Sequence, residues 1–73
     1  MKAIVWSKDN CAFCDRAKAL LESRNIEYEE RKIGNGWTRE DLHNAVPSAR
    51  TVPQIFLDSE HVGGFDELKR RVG

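Results

Sequence analysis

The sequence predicts an α/β domain with its elements in the order β-α-β-α-β-β-α, and three observations carry that reading. A continuous apolar run, Ala3-Ile4-Val5-Trp6, is followed by a polar loop, a stretch of helically spaced apolar residues and a loosely alternating stretch. That is the pattern of a βαβ crossover. Thr38-Arg39-Glu40-Asp41 matches the helix-start signature S/T-x-x-D/E. Beyond it, Gln54–Leu57 and Glu60–Gly63 flank Asp58-Ser59 as the two arms of a hairpin, and Gly63-Gly64 breaks into a last amphipathic segment.

Taken in order, Lys2–Trp6 is strand one, and its unbroken apolar run predicts burial on both faces. Ser7–Asn10 is a loop, with Asp9 or Asn10 placed to cap the helix that follows. Helix one is expected from Ala12 to Arg24, with Phe13, Ala17, Leu20 and Leu21 on one stripe. Asp15, Arg16, Lys18, Glu22 and Ser23 should face outward, and Asn25 suits a left-handed stop. Ile26–Lys32 sets Ile26 and Tyr28 among charges, which suits an edge strand that must not pair with other chains. A full helix between strands one and two makes them parallel neighbours.

Gly34-Asn35-Gly36 reads as a flexible loop. Helix two then runs to about Val46, burying Leu42, Ala45 and Val46, and Pro47–Arg50 ends it. Strand three is Gln54–Leu57, strand four Glu60–Gly63, and the last helix runs from Phe65 to about Val72 with Phe65, Leu68 and Val72 inward. No internal repeat, low-complexity tract or interdomain linker interrupts residues 1–73, which read as a single domain.

Composition narrows the function. A charged fraction of 33% beside 40% hydrophobic residues belongs to a folded chain, not a disordered one. Twelve basic and twelve acidic residues cancel, so no global field draws the protein to nucleic acid or a membrane surface. The run Ala3–Trp6 is too short for a signal peptide, and no stretch reaches the length of a membrane span. The expectation is a cytoplasmic monomer. In a reducing compartment, two cysteines are better used as a pair that cycles than as a permanent cross-link.

Those two cysteines form Cys11-Ala12-Phe13-Cys14. Three positions apart, they share one face of a helical turn and can meet disulfide geometry with little backbone movement. At a helix N-terminus the unpaired N–H groups and the helix dipole favour a thiolate. Cys11 is the candidate nucleophile and Cys14 the resolving thiol. The plainer alternative is an inert structural pair.

Three separated motifs extend the reading. Trp6-Ser7-Lys8-Asp9-Asn10-Cys11-Ala12-Phe13-Cys14, with Ala17-Lys18 and Leu20-Leu21 after it, resembles the glutaredoxin pattern of an aromatic, Ser or Thr, Lys, two residues and Cys-Pro-Tyr-Cys. Thr51-Val52-Pro53-Gln54-Ile55-Phe56 and Gly63-Gly64-Phe65-Asp66 are similar to two further stretches of that family. The resemblance covers nearly the whole chain. It implies a thioredoxin-like fold, a four-stranded mixed sheet flanked by three helices. It also implies reduction of protein disulfides and glutathione mixed disulfides at the expense of glutathione, a co-substrate, with no metal expected. Ribonucleotide reductase is a family-level partner.

Ala12 stands where the family usually has Pro, and Phe13 where it has Tyr. Ala lacks the fixed φ of proline, so turn geometry and redox potential do not carry over. The chain also ends soon after helix three begins, which predicts a short, frayed last helix.

By this resemblance Pro53 is cis and faces the dithiol, leaving the Val52 backbone to hydrogen-bond the ligand's cysteinyl unit as an added strand; Thr51 belongs to the same loop. Gly64, Phe65 and Asp66 open a helix that can take a carboxylate, while Asp66 takes the γ-glutamyl amino group. Lys8 is a candidate to face the thiolate and a glutathione carboxylate, and Phe13 to shield the sulfurs or fill the core. The blander readings are a solvated Lys8, a strand-initiating Pro53 and an Asp66 that complements the helix dipole. Arg39 and Arg50 read better as solvated charge than as ligands of the glycyl carboxylate. Neither His43 nor His61 is placed beside Cys11 by its spacing.

Two other functions compete: a redoxin recharged by thioredoxin reductase, and a module holding an iron–sulfur cluster between two protomers through Cys11 and glutathione. Structural zinc wants four ligands, and nucleic-acid binding lacks a basic stripe.

Overall fold

The computed structural model describes Met1–Gly73. Its elements are β1 (Lys2–Ser7), α1 (Ala12–Ser23), β2 (Glu27–Lys32), α2 (Arg39–Ala45), β3 (Gln54–Leu57), β4 (Glu60–Gly63) and α3 (Phe65–Val72). The order is the expected one. The sheet runs β2-β1-β3-β4, with β2 parallel to β1 at one edge and β3 and β4 antiparallel to their neighbours.

Strand periodicity explains how one sheet serves two cores, because successive side chains point to opposite faces. Ala3 and Val5 on β1, with Ile55 and Leu57 on β3, pack against Ala17 and Leu21 of α1 and Leu68 of α3. Ile4, Trp6 and Phe56 point the other way, onto Leu42, Val46 and Ala49. Helices α1 and α3 therefore cover one face and α2 the other, and β1 is buried on both sides as its apolar run predicts.

Three local expectations change. Cys14, not Phe13, joins Ala17 and Leu21 on the buried stripe of α1, and Phe13 is 53% exposed. Ala45 is exposed. Helix α2 ends at Ala45, and the spacing of Leu42 and Val46 lets those two alone from this stretch reach the sheet. Ala49 fills the place after the chain turns, its N–H bonded to the Val46 carbonyl at 2.9 Å. Neither Asp9 nor Asn10 caps α1. Asn10 supplies a left-handed turn at φ 56°, Asp9 pairs with Lys32 at 3.0 Å, and the cap is the Cys11 side chain itself.

A polar clamp ties α1 to the two strands beneath it. Fully buried Ser7 donates from its hydroxyl to Glu30 Oε2 at 2.6 Å, and Lys18 Nζ donates to the same oxygen at 2.9 Å. The Lys18 ammonium first, and the Ser7 hydroxyl next, hold the Glu30 carboxyl below the usual carboxylate range. In return, the hydrogen bond to Glu30 raises the Lys18 ammonium above its usual value.

Two outcomes follow from this packing. Leu21→Ala, at a fully buried position, should cost about 2–5 kcal/mol, a large share of the stability of so small a domain, read as a fall in the urea midpoint. Because Glu30 has its pKa lowered on folding, its contribution is present above the usual carboxylate range and disappears as pH falls through the depressed value. Lys18 behaves in the opposite sense, its contribution being lost only as pH rises through the raised value. Urea midpoints from pH 7 to pH 3 should fall less steeply for Glu30→Gln than for wild type. An unchanged acid slope would assign the loss to other carboxylates.

Candidate functional site

The site lies at one end of the sheet, where the strand directions bring four loops together. Trp6 at the C-terminal end of β1 is opposite Gln54, the first residue of β3. Ile55 is opposite Gly63, the last residue of β4. The loop after β1, the loop before β3 and the start of α3 therefore converge, and Lys32 at the end of β2 reaches in to Asp9.

At this end Cys11 and Cys14 form a disulfide with their Cα atoms 5.2 Å apart. Cys11 is half-buried, whereas Cys14 is 1% exposed. Cys11 is the N-cap residue in extended conformation, and its Sγ accepts the Cys14 N–H at 3.1 Å. The same sulfur lies 3.8 Å from the Val52 carbonyl oxygen. The Val52–Pro53 peptide is cis, the isomer expected for this loop. Val52 lies outside the strands, and its N–H makes no hydrogen bond within the chain.

Thr51 and Val52 border two depressions. The smaller, of about 340 Å³, is lined by Phe13, Thr51, Val52, Pro53, Gly64, Phe65, Asp66 and Glu67. The larger, of about 960 Å³, is lined by Lys8, Asp9, Ile33, Arg39, Leu42, His43, Pro47, Ser48, Ala49, Arg50, Thr51 and Val52. Each predicted ligand residue thus borders one depression or both. Phe13 leans on Phe65 with ring centroids 6.1 Å apart, and Arg16 lies 5.2 Å from the Phe13 centroid. His43 Nε2 lies 3.1 Å from the Ala49 carbonyl and His61 Nε2 2.8 Å from Gln54 Oε1.

The α3 terminus holds a further functional candidate, Glu67. Glu67 Oε1 accepts the Gly64 N–H at 2.8 Å, so a bound carboxylate there would use other amides of the first turn or displace Glu67. The signal was its spacing, three residues after the cap, obscured because the cap is glycine. At Gly63, with φ +126° and Glu67 Cγ 2.9 Å from where a Cβ would stand, a side chain would be strained and would push Glu67 aside. No three His, Cys, Asp or Glu side chains gather to hold a metal, and no helix is long and apolar enough to cross a membrane.

A sulfur pair that can open and close beside a cis-proline loop, on this mixed sheet with its three helices, defines the class: a thiol oxidoreductase of thioredoxin-like fold. Comparison with known proteins refines it. The glutaredoxin family model matches residues 3–62. The chain is 43% identical over 65 residues to glutaredoxin 3 of Escherichia coli K12, covering 88% of this chain and 77% of that protein. It is 43% identical over 68 residues to glutaredoxin 1 of Rickettsia conorii, covering 89% and 66%. Among solved structures, glutaredoxin 1 of Francisella tularensis complexed with cacodylate superposes with a TM-score of 0.82 at 34% identity over 96% of this chain and 90% of that one. A buckwheat glutaredoxin–glutathione complex does so at 0.80, with 26% identity over 94% and 66%. The chain belongs to the glutaredoxin family.

The burial difference predicts an order of reactivity. In the reduced protein, iodoacetamide should modify Cys11 first, because Cys14 is buried and Cys11 is only half-buried. Mass mapping after short exposure checks this. Cys11→Ser should slow total modification at least about tenfold, whereas preferential labelling of Cys14 would reverse the assignment.

Proposed function

We propose that this protein is a glutathione-dependent thiol–disulfide oxidoreductase acting on protein disulfides and glutathione mixed disulfides. The observation that carries the reading is Val52. Its N–H is unbonded and its carbonyl lies 3.8 Å from Cys11 Sγ, so an extended ligand can pair with it as a short added strand and present sulfur to sulfur. In that pose the γ-glutamyl end lies toward Gly64, Phe65 and Asp66. The Asp66 carboxylate takes the amino group there, and the glycyl end lies toward Lys8. The glutathione complex of the buckwheat relative supports this ligand class.

With a glutathionylated protein, the Cys11 thiolate attacks the glutathione sulfur. The Cys11–glutathione disulfide forms, and the protein sulfur leaves with the electron pair and takes a proton from solvent. A second glutathione thiolate then attacks the bound glutathione sulfur, releasing oxidised glutathione and regenerating Cys11. With a protein disulfide, Cys11 first forms a mixed disulfide with one target sulfur. Cys14 then attacks Cys11, releasing the target thiol and closing the Cys11–Cys14 disulfide. Two glutathione molecules reopen it.

Thiol acidity acts mainly on departure. For a thiol whose pKa falls from about 8.5 to about 5, the thiolate fraction at neutral pH rises about 30-fold while nucleophilicity falls about 40-fold. Attack gains nothing, but the thiolate becomes the better leaving group when glutathione attacks.

Coupling to NADPH through glutathione and glutathione reductase, with a small glutathionyl mixed disulfide as substrate, tests the proposal. Turnover should appear in that arm and be absent with thioredoxin reductase alone. Cys11→Ser should abolish it, and Cys14→Ser should retain it. Asp66→Asn should raise the KM for the glutathionyl substrate several-fold, by roughly 1 kcal/mol of lost charge pairing, with kcat nearly unchanged. Turnover with thioredoxin reductase only would overturn the glutathione assignment.

A further inference from the structure

The larger depression carries more positive charge than one glycyl carboxylate can use. Lys8, Arg39 and Arg50 all line it, and none has an ion pair or a side-chain hydrogen bond. Its one acidic residue, Asp9, is drawn off by Lys32 at 3.0 Å. The chain as a whole has zero formal charge, so this is a local field set beside the reactive sulfur and not the edge of a global one. Arg50 immediately precedes Thr51-Val52, and Arg39 is the first residue of α2. The floor is apolar, with Leu42 and Ala49 buried beneath it. At about 960 Å³ the groove exceeds what a single glycine would fill.

We propose that this groove selects protein substrates carrying acidic residues just C-terminal to the attacked cysteine, with Arg39 and Arg50 as the specificity-determining side chains. The direction rests on the glutathione reading above. If the γ-glutamyl end lies toward Asp66, the C-terminal side of any chain held the same way along Val52 runs into the basic groove. A target segment in that pose lays its next few residues between Arg50 and Arg39, where carboxylates meet unpaired guanidinium groups and lysines meet like charge. Such contacts act chiefly on encounter and orientation, and they weaken with salt.

The test uses short capped peptides whose single cysteine carries thionitrobenzoate in a mixed disulfide. Attack by Cys11 on the peptide sulfur forms the Cys11–peptide disulfide and expels thionitrobenzoate with the electron pair, which is read by its absorbance. Two glutamates after the cysteine should give a rate constant roughly five- to tenfold above that for two lysines at low salt. The ratio should shrink toward one in 0.5 M salt and in Arg39→Gln/Arg50→Gln. Moving the same charges before the cysteine should largely remove the preference.

A ratio near one in wild type, or equal preferences on both sides of the cysteine, would overturn the proposal. So would a preference left intact in the double variant. Glutathione-coupled turnover without peptide preference would sink this inference alone. Peptide preference without glutathione-coupled turnover would sink the glutathione reading and leave the groove standing.

Discussion

The pairing of β1 with β3 is the constraint on which the rest depends. Because the two strands are antiparallel, with Trp6 opposite Gln54, the end of β1 and the beginning of β3 lie at the same end of the sheet. The dithiol loop leaves from one and the cis-proline loop enters from the other. Cys11 and Val52, 41 positions apart, therefore meet at 3.8 Å. A one-residue slip in this ladder would exchange the two faces of β1. It would strand Ala3 and Val5 on the α2 side and Trp6 under α1. Core packing and site geometry are thus held by one register.

The same small sheet explains where polar groups are allowed. With α1 and α3 on one face and α2 on the other, almost every inward position must be apolar, and Ser7 is the one buried polar residue. Its hydroxyl is satisfied by Glu30, which Lys18 also holds. That clamp fastens α1, and so the cysteine-bearing turn, to β1 and β2. Arg31 plays a related part on the opposite face, lying 4.4 Å from the centroid of Trp37 and 5.3 Å from that of Trp6, beside the core that floors the basic groove. Charge on this protein is arranged around the sheet end and not as net charge.

Ala12 and Phe13 show how the cysteine turn tolerates its departures from the family pattern. Helix α1 begins at Ala12 without proline's fixed φ, because the Cys11 sulfur accepts the Cys14 N–H and performs the capping otherwise left to Asp, Asn, Ser or Thr. Phe13, freed from the core by Cys14, stacks loosely on Phe65 and makes an aromatic wall for the smaller depression. The cap was not legible beforehand. Propensity favours Asp9 and Asn10, and nothing local reveals that Asn10 is spent on a left-handed turn and Asp9 on Lys32.

Element order, the two-sided burial of β1, the edge position of β2 and the helix-start position of Cys11 were all legible in the sequence. They follow from short-range periodicity, punctuation and capping chemistry, which act within a turn or two of the chain. The same range of action explains the misplacement of Ala45 and Phe13, since helical spacing ranks a face but does not say where a two-turn helix stops or which of two adjacent side chains the sheet accepts. The resemblance of three motifs suggested which residues gather, but not the space between them. The basic groove, the diversion of Asp9 and the occupation of the Gly64 N–H by Glu67 were decided only on folding. Lys8 and Arg50 come from separate loops and Arg39 from the start of α2, and their charges add into one field only when folding brings those segments to the same end of the sheet.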